Sequence, residues 1–405
     1  MPFPAPLAPY AERAERSRGR LHPEAVSETR TPFQRDRDRI IHCVAFRRLK
    51  HKTQVFVFHE GDHYRTRLTH SLEVSQIARS LCRNLKLDED LGELVALSHD
   101  IGHPPFGHTG EDVLEDCMKA HGGFDHNAQT LRVLTKLERR HAGHDGLNLT
   151  WEALEGAVKH NGPLTGPLAE ARARNKGHAH APPLPAALAE YAERQDLWLA
   201  TYPSLEAQCA AISDDIAYNN HDTDDGLRAG LFTVAEAMDV PLLGEALSRA
   251  RRDWPDADEG LIVAEAVSAL IGTMVRDVLA ETERRLADLA PACTDDIRHA
   301  DRAMVAFSDA LEPQVTQLRT FLFARMYRHW KVNRARSQAK RVIAELFALF
   351  MAEPEVLPPE WFRRSDGKDE DGHARVVCDY LAGMTDRYAI EEHRKLFDME
   401  RWFGA

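Results

Sequence analysis

Between positions 99 and 111 the chain reads HDIGHPPFGHTGE, which gathers three histidines and two acids into one short stretch. Imidazole and carboxylate are common ligands of divalent ions and common proton carriers near neutral pH, so the stretch could serve either chemistry. The Pro-Pro pair and the glycines stiffen and bend the backbone between them, as groups held at set distances require. Other candidates lie outside it. His70 falls in RLTHSLEV, and Asp214 and Asp215 open DDIAYNNHDTDDG. If three helices converge, His70, His99, Asp100 and one of those aspartates make a mixed nitrogen and oxygen site without thiolate. Such a donor set suits Mn2+, Fe, Co or Ni, with Zn2+ and Mg2+ also admissible. Open positions on the ion could hold a water and a phosphate oxygen. Singly, each residue reads as ordinary: a hydrogen-bonded histidine, a chance His-Asp pair, a solvated helix start. Their combination is what points to a site.

The elements that must position them read as helices. In RLTHSLEVSQIARSLCRNL, Leu68, Leu72, Ile77, Leu81 and Leu85 recur at steps of four or five with Val74 between them. This predicts a helix over 67–85 with His70 on its polar flank. The pattern continues over 88–98, and 126–140, 203–219, 260–289 and 314–351 are further helix candidates. Helical spacing puts Asp214 and Tyr218 on one face, with His221 and Asp222 about a turn further on. Strand-like alternation is scarce, and TQVFVF at 53–58 is the best β candidate. Pro, Gly and charge cluster at 162–186, 251–260 and 353–372, the first and last reading as surface loops. The expectation is an all-α fold in one extended domain. A mobile Pro- and Arg-rich arm (1–25) precedes a catalytic core (26–250), and a C-terminal helical extension (251–405) packs on that core.

The whole chain sets limits. Its 405 residues are 43% hydrophobic, which indicates a globular protein with a large core. The net charge of −12 means that any polyanionic ligand must meet a local basic cluster or a metal. Neither G-x-x-x-x-G-K-[ST] nor G-x-G-x-x-G occurs. HEGDH at 59–63 matches H-E-x-x-H, but Gly61 and Asp62 are poor helix formers after a β-like run, so it reads as a turn. MPFPAPLAPY lacks the character of a signal peptide, no apolar run reaches membrane-spanning length, and the six cysteines form no C-x-x-C pair. A cytoplasmic protein with no membrane partner is expected.

His70, His99-Asp100 and Asp214 resemble the signature of the HD superfamily of metal-dependent phosphohydrolases. Longer segments narrow the resemblance to the deoxyguanosine triphosphate triphosphohydrolase (dGTPase) family and its dGTPase-like members. These are RDRDRIIHCVAFRRLKHKTQVF, RTRLTHSLEV, HDIGHPPFGHTGE, GGFDHNAQTLR, KHNGP, DDIAYNNHDTDDGLRAG and DYLAGMTDRYA. The resemblance implies hydrolysis of a deoxynucleoside triphosphate to deoxynucleoside and tripolyphosphate, cut between the 5′-oxygen and the α-phosphorus. It implies one divalent ion, Mn2+ or Mg2+ foremost, on His70, His99, Asp100 and Asp214. It implies His108 and Glu111 as the catalytic pair, with His103 in the same wall within reach of a phosphate. Gln54 and Asp222 resemble the residues that read the sugar 3′-hydroxyl. Tyr218 resembles the aromatic packed under C2′ that excludes a ribose hydroxyl. Lys159 and Arg387 could hold the triphosphate, with Arg48 and Arg67 behind them, although each basic residue reads equally well as a surface charge or an ion pair. Asn127, Gln129 and Arg132 are placed by motif only. Family members assemble as tetramers or hexamers, and a dNTP or single-stranded DNA effector is possible. Two other readings remain: a different HD phosphohydrolase (a nucleotide phosphatase or phosphodiesterase), or a dNTP-sensing or nucleic-acid-binding protein with a vestigial site.

Overall fold

The computed structural model describes residues 6–54, 65–175 and 177–398. Among them there is no β-strand, only isolated bridges such as Thr53 with Thr66. The fold is all-α. Most of TQVFVF and all of HEGDH lie outside the described residues.

Three helices form the centre: Arg67–Asn84, Glu89–Ser98 and Leu205–Arg228, each packed on the other two. Local sequence starts each of them. The Thr66 hydroxyl caps the first through the Thr69 amide, Asp88 caps the second through Leu91, and Ser204 caps the third through Ala207. Such caps satisfy amides that the helix leaves unpaired. Val74, Ile77, Ala78 and Leu81 of the first helix are buried, as are Leu91, Leu94, Val95 and Leu97 of the second. Leu72 departs from the expected stripe and is exposed, while His70 is fully enclosed rather than on an outer flank. The 31-residue helix Glu259–Leu289 packs along Leu205–Arg228 and Pro241–Asp253.

A second apolar cluster joins the loop after His99 to the C-terminal helices. Phe106, Leu114, Met118 and Phe124 meet Ile343, Leu346, Phe350, Val377 and Leu381. The helix expected over 314–351 is interrupted. Glu312–Leu322 passes into a wide π-turn at Phe323–Tyr327, and Trp330–Ala352 follows. The presumed surface loops at 162–186 and 353–372 contain short helices, Gly166–Asn175 and Pro359–Ser365.

The N-terminal segment corrects the expectation of a mobile arm. Ala8, Ala11 and Ala14 are buried, and Glu12 pairs with Arg298. Arg18 lies over the rings of Trp198 and Trp151, at 3.7 and 4.6 Å. Small residues let the backbone lie close, and charge with cation–π contact then holds it. A Pro- and Arg-rich composition alone does not reveal such seating.

Candidate active site

The Arg67–Asn84 and Leu205–Arg228 helices present His70 and Asp214 to each other, with His70 Nε2 2.8 Å from Asp214 Oδ1. His99 caps the end of Glu89–Ser98 and adds its Nε2 at 3.6 Å from the same oxygen. These three residues have ligand atoms within 4.8 Å of one another. Asp100 borders the group, its Oδ1 3.4 Å from His99 Nε2. Asp214 is the open member, its side chain 37% exposed, whereas Asp215 faces outward to Arg319 at 3.0 Å. Of the two, Asp214 is the one within reach of His70 and His99.

Supporting contacts orient the ligands. His99 Nδ1 lies 2.6 Å from the Ala96 carbonyl, which leaves Nε2 facing the group; that atom is buried and has no hydrogen-bond partner. His221 stands behind His70 at 3.2 Å and is itself held by Glu73 at 2.7 Å. Arg67 donates to Asp100 Oδ2 at 2.8 Å. Burial would raise the Asp214 carboxyl, but the His99 and His70 rings outweigh it and hold it well below the carboxylate range. Burial likewise opposes charge on Asp100, and the Arg67 guanidinium, followed by His99 and His103, reverses the effect. Two imidazoles, one of them with an orphaned buried nitrogen, and two ionised carboxylates fit a divalent cation. His70, His99 and Asp214 are the residues that could hold it, with Asp100 beside them.

The loop after His99 needs its glycines. A Cβ at Gly102 would stand 2.1 Å from the His126 carbonyl, and Gly107 takes φ +57° against the Arg67 guanidinium. Phe106 also sits in the left-handed region, at φ +64°, its amide tied to Asp386 Oδ1 at 2.9 Å. The helix His108–Met118 starts there. His108 Nδ1 lies 3.0 Å from Glu111 Oε2, and the ring is 60% exposed. Glu111 Oε1 accepts from the His126 amide at 3.0 Å and lies 2.7 Å from His126 Nδ1. Burial works against ionised Glu111, yet the His108 and His126 contacts keep it far below its ordinary value. Burial also opposes a charged His126, and Glu111 overcomes that and raises it.

His103 is placed differently from the expectation of a phosphate contact. It is enclosed, with Nε2 3.2 Å from Asp100 Oδ1 and Nδ1 4.0 Å from Glu111 Oε2. It stacks on His126 with ring centroids 4.0 Å apart. Burial, then Arg67 and His126, push its pKa well down, so it is a neutral bridge between the metal-type group and the acid–base group.

The Leu205–Arg228 helix also carries Tyr218 and Asp222. Tyr218 donates to the Tyr327 hydroxyl, which donates to Asp222, and the two tyrosine rings stack at 6.2 Å. Burial raises the Asp222 carboxyl to about 8. Gln54 keeps its Oε1 buried without a hydrogen-bond partner, and its backbone oxygen neighbours Gly107.

Three expected phosphate-binding residues are not brought to this group. Lys159 is completely enclosed, paired with Glu155 at 3.1 Å and donating to Trp198, Thr201 and Tyr202. It holds two chain segments together. Arg387 is 70% exposed and pairs with Glu391 of its own helix. Within DYLAGMTDRYA it is Asp386 that ties to the loop beside this group, binding Thr53 and Phe106, while Asp379 is buried against Gln129 and Arg132. Arg48 sits against the Gly383 turn. Sequence reasoning missed Tyr327, His126 and Arg319. Only His126 lay within a quoted motif, GGFDHNAQTLR, where a residue-by-residue weighing would have found it.

The family model described as HD domain matches residues 67–219, and that described as phosphohydrolase-associated domain matches 305–395. The helical fold with its His, His-Asp and Asp group thus defines a phosphohydrolase of the HD class. Deoxyguanosinetriphosphate triphosphohydrolase-like proteins of Caulobacter sp. K31 and Parvibaculum lavamentivorans are 60% and 58% identical to the chain. The alignments cover 99% of both chains in the first case and 98% of both in the second. The chain belongs to the dGTPase-like family of HD phosphohydrolases. No described helix is long and apolar enough to cross a membrane.

Proposed function

We propose that the protein hydrolyses a deoxynucleoside triphosphate to deoxynucleoside and tripolyphosphate. The observation that carries this reading is the adjacency of two groups: His70, His99 and Asp214 on one side, and His108, Glu111 and His126 on the other, bridged by neutral His103. A divalent ion, Mn2+ or Mg2+ foremost, when bound by His70, His99, Asp100 and Asp214, supplies positive charge to the α-phosphate and acidifies water.

The remaining steps belong to the chain. Glu111 fixes the His108 ring through Nδ1, so that Nε2 faces the open side and takes the proton of the attacking water. His126 holds Glu111 ionised and still through two contacts. Arg67, locked against Asp100, sets positive charge beside the phosphates. Asp222 and the unpaired Gln54 oxygen read the 3′-hydroxyl, and Tyr218, stiffened by Tyr327, closes the space beneath C2′. A ribose hydroxyl pressed on that ring would lose its water partners without replacement.

Incubation with each dNTP and Mn2+, followed by anion-exchange separation, tests the chemistry. Tripolyphosphate and nucleoside are expected in equal amounts from at least one dNTP. Monophosphate with pyrophosphate would contradict the assigned bond.

A further inference from the structure

We infer that the cleft between the 126–137 segment and the helices Pro359–Ser365 and Glu370–Ala382 is a binding site for an oligophosphate anion. None of the catalytic residues named above lines it, so this inference stands independently of the proposed reaction. The cleft encloses about 470 Å³, a volume usual for small-molecule sites. Six basic side chains line it (Arg132, Lys136, Arg139, Arg364, Lys368 and Arg375), against three acids, Asp145, Glu190 and Asp379. On a chain of net charge −12 this is a local reversal of sign, and it occurs in a concavity, where the field is focused.

The ion pairs sharpen the excess. Asp379 neutralises Arg132 by accepting from two guanidinium nitrogens, Nε and Nη2, and Glu190 takes Lys136 at 3.0 Å. Arg139 and Arg364 share one carboxylate, Glu360, at 3.7 and 2.7 Å. Among the described residues Arg375 is held by neutral carbonyls, those of His121 and Gly123, at 3.3 and 2.8 Å. Lys368, in the turn between the two helices, has no carboxylate partner among the described residues. With Glu360 and the lining Asp145 counted, six bases face four acids, and the remaining positive charge is spread over side chains from three segments. A single carboxylate would answer one of them. A phosphate chain, with charged oxygens repeated along its length, answers several at once, and guanidinium groups match such oxygens in pairs.

One wall adds a flat surface. Trp361 lines the cleft with Arg364 at 4.6 Å from its ring centroid. The same oligophosphate chemistry can therefore come from two sources, a free inorganic chain or the tail of a nucleotide whose base meets Trp361.

Calorimetric titration of inorganic tripolyphosphate in the presence of EDTA tests the site. The comparison set is wild type, Lys368→Glu combined with Arg364→Gln, and Asp214→Ala, with thermal unfolding to confirm that each is folded. Affinity is expected to fall at least tenfold in the first variant, to be unchanged in Asp214→Ala, and to weaken as sodium chloride rises. Equal affinity in wild type and the double variant overturns the inference, and so does binding that Asp214→Ala removes. The second arm replaces tripolyphosphate with a nucleoside triphosphate. Tighter binding that Trp361→Leu abolishes upholds the site and assigns it to a nucleotide. Equal binding upholds it for the free chain.

Discussion

His108 and Tyr218 carry the sharpest expectations at the scale of single residues. His108 is exposed but oriented by a carboxylate that two further contacts keep ionised, so its loss removes a proton carrier and little packing. His108→Ala should lower kcat by roughly 10²–10⁴ while nucleotide affinity persists. Turnover within a few-fold of wild type in a single-turnover assay would remove His108 from the mechanism. Tyr218 is anchored through its hydroxyl to Tyr327, so Tyr218→Ala should open the space beneath the sugar and admit ribonucleoside triphosphates. The ratio of kcat/KM for matched ribo and deoxy substrates is the measurement, and an unchanged ratio refutes the gate. The meeting of His70, His99 and Asp214 was legible because each sits in its own short motif. Tyr327 was not. It reaches Asp222 from a segment 105 positions away, and its own surroundings read as plain amphipathic helix.

Helices explain both what was read correctly and what was misplaced. The hydrophobic stripe identified 67–85 and 88–98 almost to the residue, because those helices bury one face against neighbours. The 314–351 segment looked continuous, since a π-turn preserves hydrophobicity while shifting the phase of the side chains. Lys159 was misplaced for a tertiary reason. Its motif neighbour His160 lies near His99, with rings 6.4 Å apart, while the lysine one position before it turns away into Glu155 and three oxygens of 198–202. Lys159→Met should therefore cost stability, on the order of 2–4 kcal/mol, by stripping buried acceptors of their donor. The substrate KM of the folded variant should stay near wild type. A large rise in KM with no change in unfolding midpoint would return Lys159 to the phosphates.

At the scale of the whole molecule, the contact between the Glu12 stretch and the central helix carries a pH signature. Glu206 is fully buried, accepts the Glu12 amide at 2.9 Å, and is raised by burial, with the Glu12 charge adding, from 4.5 to about 8. Between those values the folded state holds a proton that the unfolded chain has released. Stability from this group is therefore complete below pH 4.5 and is lost as pH rises through about 8, with a slope of up to ~1.4 kcal/mol per unit. Glu206→Gln should flatten the decline in Tm between pH 5 and 8, approximately the window set by those two values. Parallel declines in variant and wild type would exclude Glu206 as the source.

The seating of the first segment also has a consequence for biosynthesis. Glu12 finds its partner Arg298 across 286 positions, and the Glu12 amide finds Glu206 across 194. On the ribosome the stretch around Glu12 thus emerges before its partners, with a charged residue and an alanine row that have nowhere to go. It must wait until synthesis has passed Arg298, while the 67–98 helix pair can already associate. Docking of this stretch is accordingly a late event of translation, a long-range contact that forms only after its distant partners exist.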